Sequence, residues 1–429
     1  MTSVPLLYRL AVGLAHRTAP LLARGGPELA RGIAGRRDAH GELAAWGERR
    51  DPARPTAWFH APSVGEALQA GAVILALRDR RPGLQIAFTH FSPSAEGIAA
   101  SLGADVGAYL PWDEAGPVRR ALDGVRPDLL VFTKTEVWPV LVDEAAGRGI
   151  PAALVGGVVP PGAGRMRWPA RALLRSTWSR LSLACAVTEE DARRLVRLGV
   201  PEGAVRVTGD PGIDSATRRA GEADPAAPWL APFHEDPRPT VVAGSTWPED
   251  EAVLLPALAE VRRVVPNLRL VLVPHEPTAD VVGGLLLRLQ GLGWKSRPLS
   301  AVESRGTPGD AAAVVVDRVG VLADLYTTAS VAYVGGGFGR YGLHSVLEPA
   351  AAGVPVAFGP RHERAPAAAG LLAVGAARTA RNAAELAAIL AEWLTDSGAK
   401  NDAARQAIGY IVSHRGSAGR TAVLLDALM

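Results

Sequence analysis

In Trp58-Phe59-His60-Ala61-Pro62-Ser63-Val64-Gly65-Glu66 an apolar run ends at a histidine, passes through a turn and opens a helical pattern. Glu66 stands three residues after Ser63, and two readings share that spacing. In one, Ser63 is an N-cap and Glu66 its capping-box partner. In the other, a carboxylate at the carboxyl end of a strand is a general base that takes the proton of an attacking hydroxyl. The positive end of the helix dipole favours its ionised form. His60 is placed to assist, or as a lone histidine at a strand end to serve the structure.

A second constellation follows another apolar run. Gly335, Gly336 and Gly337 open the stretch Gly-Gly-Gly-Phe-Gly-Arg-Tyr-Gly, and a helix over Leu343–Ala352 is expected after it. Glycines let a backbone approach a phosphate closely, and a helix start offers unpaired N–H donors. Glu348, within that helix, is placed to accept hydrogen bonds from a ribose diol. Gly359, Pro360 and Arg361 follow the next strand as a further polar loop. Ser245 and Thr246 end an earlier strand and either add donors to the phosphate or cap the helix that follows. The absence of Gly-Lys-Ser/Thr excludes a P-loop. No His, Cys and carboxylate spacing suits a metal, so a metal-independent reaction is expected.

These residues need a scaffold that brings strand ends together. Strand patterns at Ala57–His60, Gln85–Thr89, Gly107–Leu110, Leu129–Phe132, Ala152–Val155, Leu183–Val187 and Arg206–Thr208 alternate with helical ones such as Ala67–Arg80 and Glu189–Leu198. After a proline-rich break the rhythm resumes at Thr240–Ala243, Arg269–Val273, Ala313–Val316, Val331–Val334 and Val354–Phe358. The fold class is α/β, two Rossmann-like domains with parallel sheets facing a cleft. The expected division is 1–215, a linker at 216–239, a second domain at 240–399, and a C-terminal helix at 400–429 that packs back on the first domain.

Composition agrees with a globular enzyme of this size. The 429 residues are 48% hydrophobic and 21% charged, with a net charge of +3 that demands no nucleic-acid partner. A lone Cys185 excludes an internal disulfide and fits a reducing, cytoplasmic compartment. Arg9, Arg17, Arg24, Arg31, Arg36 and Arg37 face a single acid, Glu28, within residues 1–37. Leu6, Leu10 and Leu14 share one helical face there. That segment is too short and too charged to span a bilayer; it either lies on an anionic membrane surface or packs on its own domain.

With these pieces assembled, the chain resembles the 3-deoxy-D-manno-octulosonic acid (Kdo) transferases, of GT-B architecture, over nearly its whole length. The resemblance rests on His60–Glu66, Leu110-Pro111-Trp112-Asp113, Thr135-Glu136-Val137-Trp138-Pro139, Val207–Asp210, Gly244-Ser245-Thr246, Gly335-Gly336-Gly337, Gly342–Pro349 and Gly359-Pro360. It implies transfer of Kdo from CMP-Kdo to a lipid A precursor at the cytoplasmic face of the inner membrane, with inversion. It also implies Glu66 as base, with His60, Ser63, Gly65 and Glu136 on the acceptor side. CMP would be held by 335–348 and 359–360, with His275, His344 and Ser345 at the donor, and no cofactor beyond the CMP-sugar substrate. The basic N-terminal helix becomes a peripheral membrane contact.

The chain departs from the family pattern at Lys134, at Gly209-Asp210-Pro211-Gly212, at Pro274-His275-Glu276 and at Leu343-His344-Ser345. At Lys134 the family has a glutamate; the changes at 209–212 and 274–276 remove cations near the cleft and the donor, where Arg340, Arg361 and Arg364 either compensate or are ordinary surface arginines. Two other readings keep the fold: a UDP- or GDP-sugar donor, and a catalytically silent glycolipid-binding relative.

Overall fold

Runs such as Leu129–Thr133 are apolar at nearly every position, as strands covered on both faces must be. The computed structural model describes residues 4–22, 26–236, 238–363 and 365–429, so Arg24, Pro237 and Arg364 lie outside the described residues. It divides into two compact units, Met1–Ser215 with Arg415–Met429, and Ala216–His414.

In the first unit β1 (Thr56–His60), β2 (Gln85–His90), β3 (Val106–Tyr109), β4 (Leu129–Thr133), β5 (Ala152–Gly157), β6 (Leu183–Ala186) and β7 (Val205–Val207) form one parallel sheet in the order β3-β2-β1-β4-β5-β6-β7. In the second, β8 (Thr240–Thr246), β9 (Arg269–Pro274), β10 (Ser296–Pro298), β11 (Ala313–Val315), β12 (Val331–Val334), β13 (Val356–Phe358) and β14 (Ala377–Thr379) are again all parallel, in the order β10-β11-β9-β8-β12-β13-β14. Strand order reverses between β1 and β4 in one sheet and between β8 and β12 in the other. Ligands of open parallel sheets bind outside the carboxyl ends of the strands at such reversals. Glu66 follows β1, and the glycine run follows β12.

Three boundaries differ from the sequence expectation. The stretch 216–239 is no loose linker: the helix Pro211–Glu222 runs through its start, and Leu230 and Phe233 are buried in the second unit. Trp229 Nε1 donates to Asp324 Oδ2 at 3.0 Å there. The expected C-terminal helix is two helices. Ser397–His414 buries Ala403, Ala407 and Ile411 in the second unit, and Gly416 at φ 90° starts the helix Ser417–Asp426. Only that last helix joins the first unit, where Asp214 accepts from Ala418 N (2.8 Å) and Arg420 Nη2 donates to Thr208 O (2.8 Å). Third, the helix expected over Leu343–Ala352 is confined to Leu347–Ala351.

The N-terminal segment forms helices Leu6–Leu22 and Pro27–Arg49. Arg36, counted from sequence within the basic N-terminal run, is buried. Among the described residues no helix is long and apolar enough to cross a membrane.

Candidate active site

The loop after β1 is pinned to its neighbour before it reaches Glu66. Ala61 N donates to Thr89 O at 3.0 Å, and Ser92 N donates to Pro62 O at 2.8 Å. Ser63 is then the N-cap of the helix Val64–Arg80, in extended conformation, but its hydroxyl caps no backbone amide. It donates to Glu66 Oε2 instead, so the capping-box reading is replaced by a direct side-chain bond. Lys134 Nζ, from the end of β4, lies 3.1 Å from Glu66 Oε1. Both carboxylate oxygens therefore have partners, while the Glu66 side chain keeps 18% of its surface exposed. Gly65 is exposed beside it in the first helical turn. Glu136, two residues past Lys134, is 40% exposed, with Arg165 Nη2 3.9 Å from Oε1.

His60 takes no part on the acceptor side. It is fully buried, its Nδ1 3.0 Å from Thr89 O, and its Nε2 accepts from Trp138 Nε1 at 3.2 Å. That pairing assigns the proton to Nδ1 and makes the ring a neutral strut between loops. Burial pushes its pKa down to about 3. Because the folded value lies below the ordinary one, the stability His60 contributes is complete above pH 6.5 and is lost as pH falls from 6.5 toward about 3. The slope is about 1.4 kcal/mol per pH unit. Between pH 6.5 and 4.5, wild type should lose about 2–3 kcal/mol more than His60→Gln in urea unfolding. Equal losses would mean that the ring is not held neutral.

Several residues that brace this edge stand in the basic run and the family motifs of the sequence, where no role was assigned to them. The Arg36 guanidinium lies 4.6, 4.3 and 5.3 Å from the ring centroids of Phe91, Trp112 and Trp138, and its Nε donates to Leu110 O at 3.1 Å. Burial lowers its pKa to about 10. Asp113 accepts from Val140 N and Leu141 N, both at 3.0 Å, and from Tyr8 Oη at 2.8 Å. Desolvation lifts that carboxyl to about 6 against these donors. Thus Tyr8 ties the first helix to the loop that carries Glu136 and Trp138.

At the reversal of the second sheet the glycines serve chain-to-chain packing. A Cβ on Gly335 would stand 2.2 Å from Ser245 O, and one on Gly337 would stand 2.6 Å from Gly359 N. The loop amides are also taken. Asp250 Oδ2 accepts from Gly336 N at 2.7 Å and from Trp247 N at 3.0 Å. Asp250 Oδ1 accepts from Tyr333 Oη at 3.0 Å and Phe338 N at 3.3 Å. An internal carboxylate thus occupies the amides that the sequence reading gave to a phosphate.

The other donor-side candidates separate into exposed and engaged groups. Ser245 sits at the edge with φ 53°. Thr246 is buried and donates to Glu251 Oε1 at 3.3 Å, which removes its hydroxyl from the surface. Trp247 stacks on Tyr341 (4.2 Å) and His275 (4.5 Å), and His275 stacks on His344 (4.5 Å). Trp247 Nε1 donates to His344 Nε2 at 2.9 Å, and burial lowers His344 to about 4 and His275 in the same direction. The two imidazoles are therefore neutral members of an aromatic stack and replace no lost cation. Ser345 Oγ accepts from Leu347 N at 3.3 Å, and Glu348 pairs with Arg219 at 3.4 Å. Arg361, beyond Pro360, donates from Nη1 to Gly339 O at 3.0 Å and so binds one loop to the other. Arg340 is exposed and donates to Tyr341 Oη at 3.2 Å. Among the described residues no three His, Cys, Asp or Glu side chains group to hold a metal ion.

Two Rossmann-like units, one with an accessible carboxylate and one with a glycine-rich loop at the strand reversal, define the GT-B class of glycosyltransferase fold. Residues 40–215 match the family model described as 3-deoxy-D-manno-octulosonic-acid transferase (kdotransferase). A 3-deoxy-D-manno-octulosonic acid transferase of Bordetella pertussis is 30% identical over 394 residues, covering 88% of this chain and 87% of the relative. One from Haemophilus influenzae is 29% identical over 304 residues, 70% of each. The chain belongs to the Kdo transferase family, and it is a glycosyltransferase. The solved UDP-GlcNAc 2-epimerase from Neisseria meningitidis shares its fold, with a TM-score of 0.62 at 16% identity over 86% of this chain and 99% of that one.

Proposed function

We propose that the chain transfers Kdo, or a related ulosonic acid, from its CMP-activated form to a lipid A precursor or similar lipid-linked sugar. The reaction is inverting and metal-independent and uses no cofactor beyond the CMP-sugar. The observation that carries this reading is Glu66, an accessible carboxylate at the strand reversal of the first sheet with its side chain oriented by Ser63 and Lys134. Glu66 takes the proton of the acceptor hydroxyl as its oxygen bonds to the anomeric carbon. The bond from that carbon to the CMP phosphate breaks, and CMP departs with the electron pair. Single displacement from the opposite face inverts the centre.

Glu348 with Arg219, Ser245 and the 335–345 loop are the donor-side groups in this reading, and membership of the family supports a CMP-sugar as what they meet. The helix Leu6–Leu22 supports work at the cytoplasmic face of the bacterial inner membrane. Leu6, Leu7, Leu10 and Leu14 are between 62% and 70% exposed, with Arg9 and Arg17 exposed among them. An apolar stripe with flanking cations lies in an anionic interface.

The test presents the protein on anionic lipid vesicles with CMP-Kdo and a lipid A precursor, read by mass spectrometry. The acceptor should gain one Kdo mass or more, EDTA should leave the rate unchanged, and the protein should sediment with the vesicles. Transfer from a UDP-sugar only, or inhibition by EDTA, overturns the corresponding part of the reading.

A further inference from the structure

The partner that Glu66 has chosen is unusual for a base. Lys134 Nζ stands 3.1 Å from Glu66 Oε1, and an ammonium that close occupies the oxygen on which an acceptor proton would land. The lysine is not locked away, since its side chain is 37% exposed. Its backbone is in the left-handed region at φ 60°, where glycine is unhindered and a long side chain is disfavoured. The position is thus occupied at a conformational cost by a residue whose useful part is its charge. Two buried polar atoms on residues close in sequence to the pair lack partners: Thr133 Oγ1, on the residue before Lys134, and Gln69 Oε1, one turn beyond Glu66 on the same helix. Asp210, whose carboxyl burial pushes up, lies within the field of Lys134, which lowers it again.

We propose that Lys134 is a substrate-binding residue: its ammonium receives an oxyanion, a carboxylate or a phosphate, of the incoming substrate and in doing so leaves Glu66 Oε1 open to the acceptor hydroxyl. The inference rests on Glu66 being the base. It makes the unliganded ion pair a resting state, since a charged donor shared with a substrate oxyanion no longer blocks the carboxylate lone pairs. A Lys134 that served only to orient Glu66 would act on turnover; one that binds the substrate acts on its affinity.

The experiment compares Lys134→Gly, Lys134→Gln and Lys134→Arg in steady-state transfer, varying donor and acceptor separately. Glycine suits φ 60°, so Lys134→Gly should melt no lower than wild type; the glutamine variant keeps the stem and gives the same readout should the glycine variant not fold. Loss of one charged hydrogen bond should raise KM for one substrate by about 10- to 100-fold, with a smaller change in kcat. Arginine should restore most of it. A rise confined to the donor assigns its sugar carboxylate as the ligand. A rise confined to the acceptor, abolished when the acceptor's phosphates are removed, assigns those instead. Unchanged KM for both substrates, with or without a fall in kcat, overturns the proposal. Glu66→Gln run in parallel separates the two ideas: an active Glu66→Gln sinks the base assignment itself, whereas an inactive one with unaltered KM in the Lys134 variants sinks only this inference.

Discussion

Glu66→Gln should reduce transfer by about 10²- to 10⁴-fold in kcat while leaving the protein folded and its binding of CMP unchanged. The amide has the shape of the carboxylate and can still accept from Ser63 Oγ, which is bonded to Oε2 in the native protein. It cannot take a proton from an attacking hydroxyl at neutral pH. Lys134 loses its ion pair in this variant, yet its side chain is 37% exposed and water can solvate it, so the change in stability should stay within about 0.5 kcal/mol. The measurement is single-turnover transfer alongside a urea melt and CMP titration. Retention of more than about a tenth of the rate would assign proton removal to another group, and Glu136, exposed two residues beyond Lys134, would be tested next.

The strands that position Glu66 were legible because each is buried on both faces and hence apolar throughout, as in Leu129–Thr133 and Val331–Val334. The two strands that escaped, β10 and β14, are three-residue edge strands, Ser-Arg-Pro and Ala-Arg-Thr, with little burial to impose a pattern. The proline-rich stretch 216–239 misled for a different reason. Prolines at helix starts cost nothing, because their missing N–H would have been unpaired there. Pro232 is used in that way, at the head of Ala231–His234.

The same logic explains the short helix of the donor side. His344 N donates to Gly335 O at 3.1 Å and its ring meets Trp247, so tertiary bonds hold residues 343–346 out of the helix. Pro349 then falls in the first turn of Leu347–Ala351, where a proline is tolerated. Its position was the available signal for a later start.

The site itself was legible only in part. Glu66, Ser63 and the glycine run are local motifs, whereas their partners come from distant segments: Lys134 is 68 residues from Glu66, and Asp250 is 86 from Gly336. No spacing rule links such pairs. His60 shows the opposite error, a residue with the right chemistry at the right strand end whose two nitrogens are both committed inside the protein.

Asp250 is where the largest loss of stability is expected. Its carboxylate is fully buried and accepts from Trp247 N, Gly336 N, Tyr333 Oη and Phe338 N. Four donors from three segments converge on one acceptor, which joins the start of the helix Pro248–Val264 to the loop after β12. Asp250→Ala strands all four in a site water cannot easily reach. At about 1 kcal/mol for each orphaned donor the cost is about 3–5 kcal/mol. Asp250→Asn replaces one acceptor oxygen by an NH2 group that faces two N–H or O–H donors, so it should be nearly as damaging despite its shape. Because Gly336 and Phe338 lose their anchor, the 335–345 loop should become protease-sensitive and the affinity for CMP should fall with stability. The expected signature is a urea midpoint shifted down in both variants, with cleavage mapped within the loop. Variants that melt within about 1 kcal/mol of wild type and bind CMP normally would show that the loop is held by its glycine contacts alone, with the carboxylate incidental to its shape.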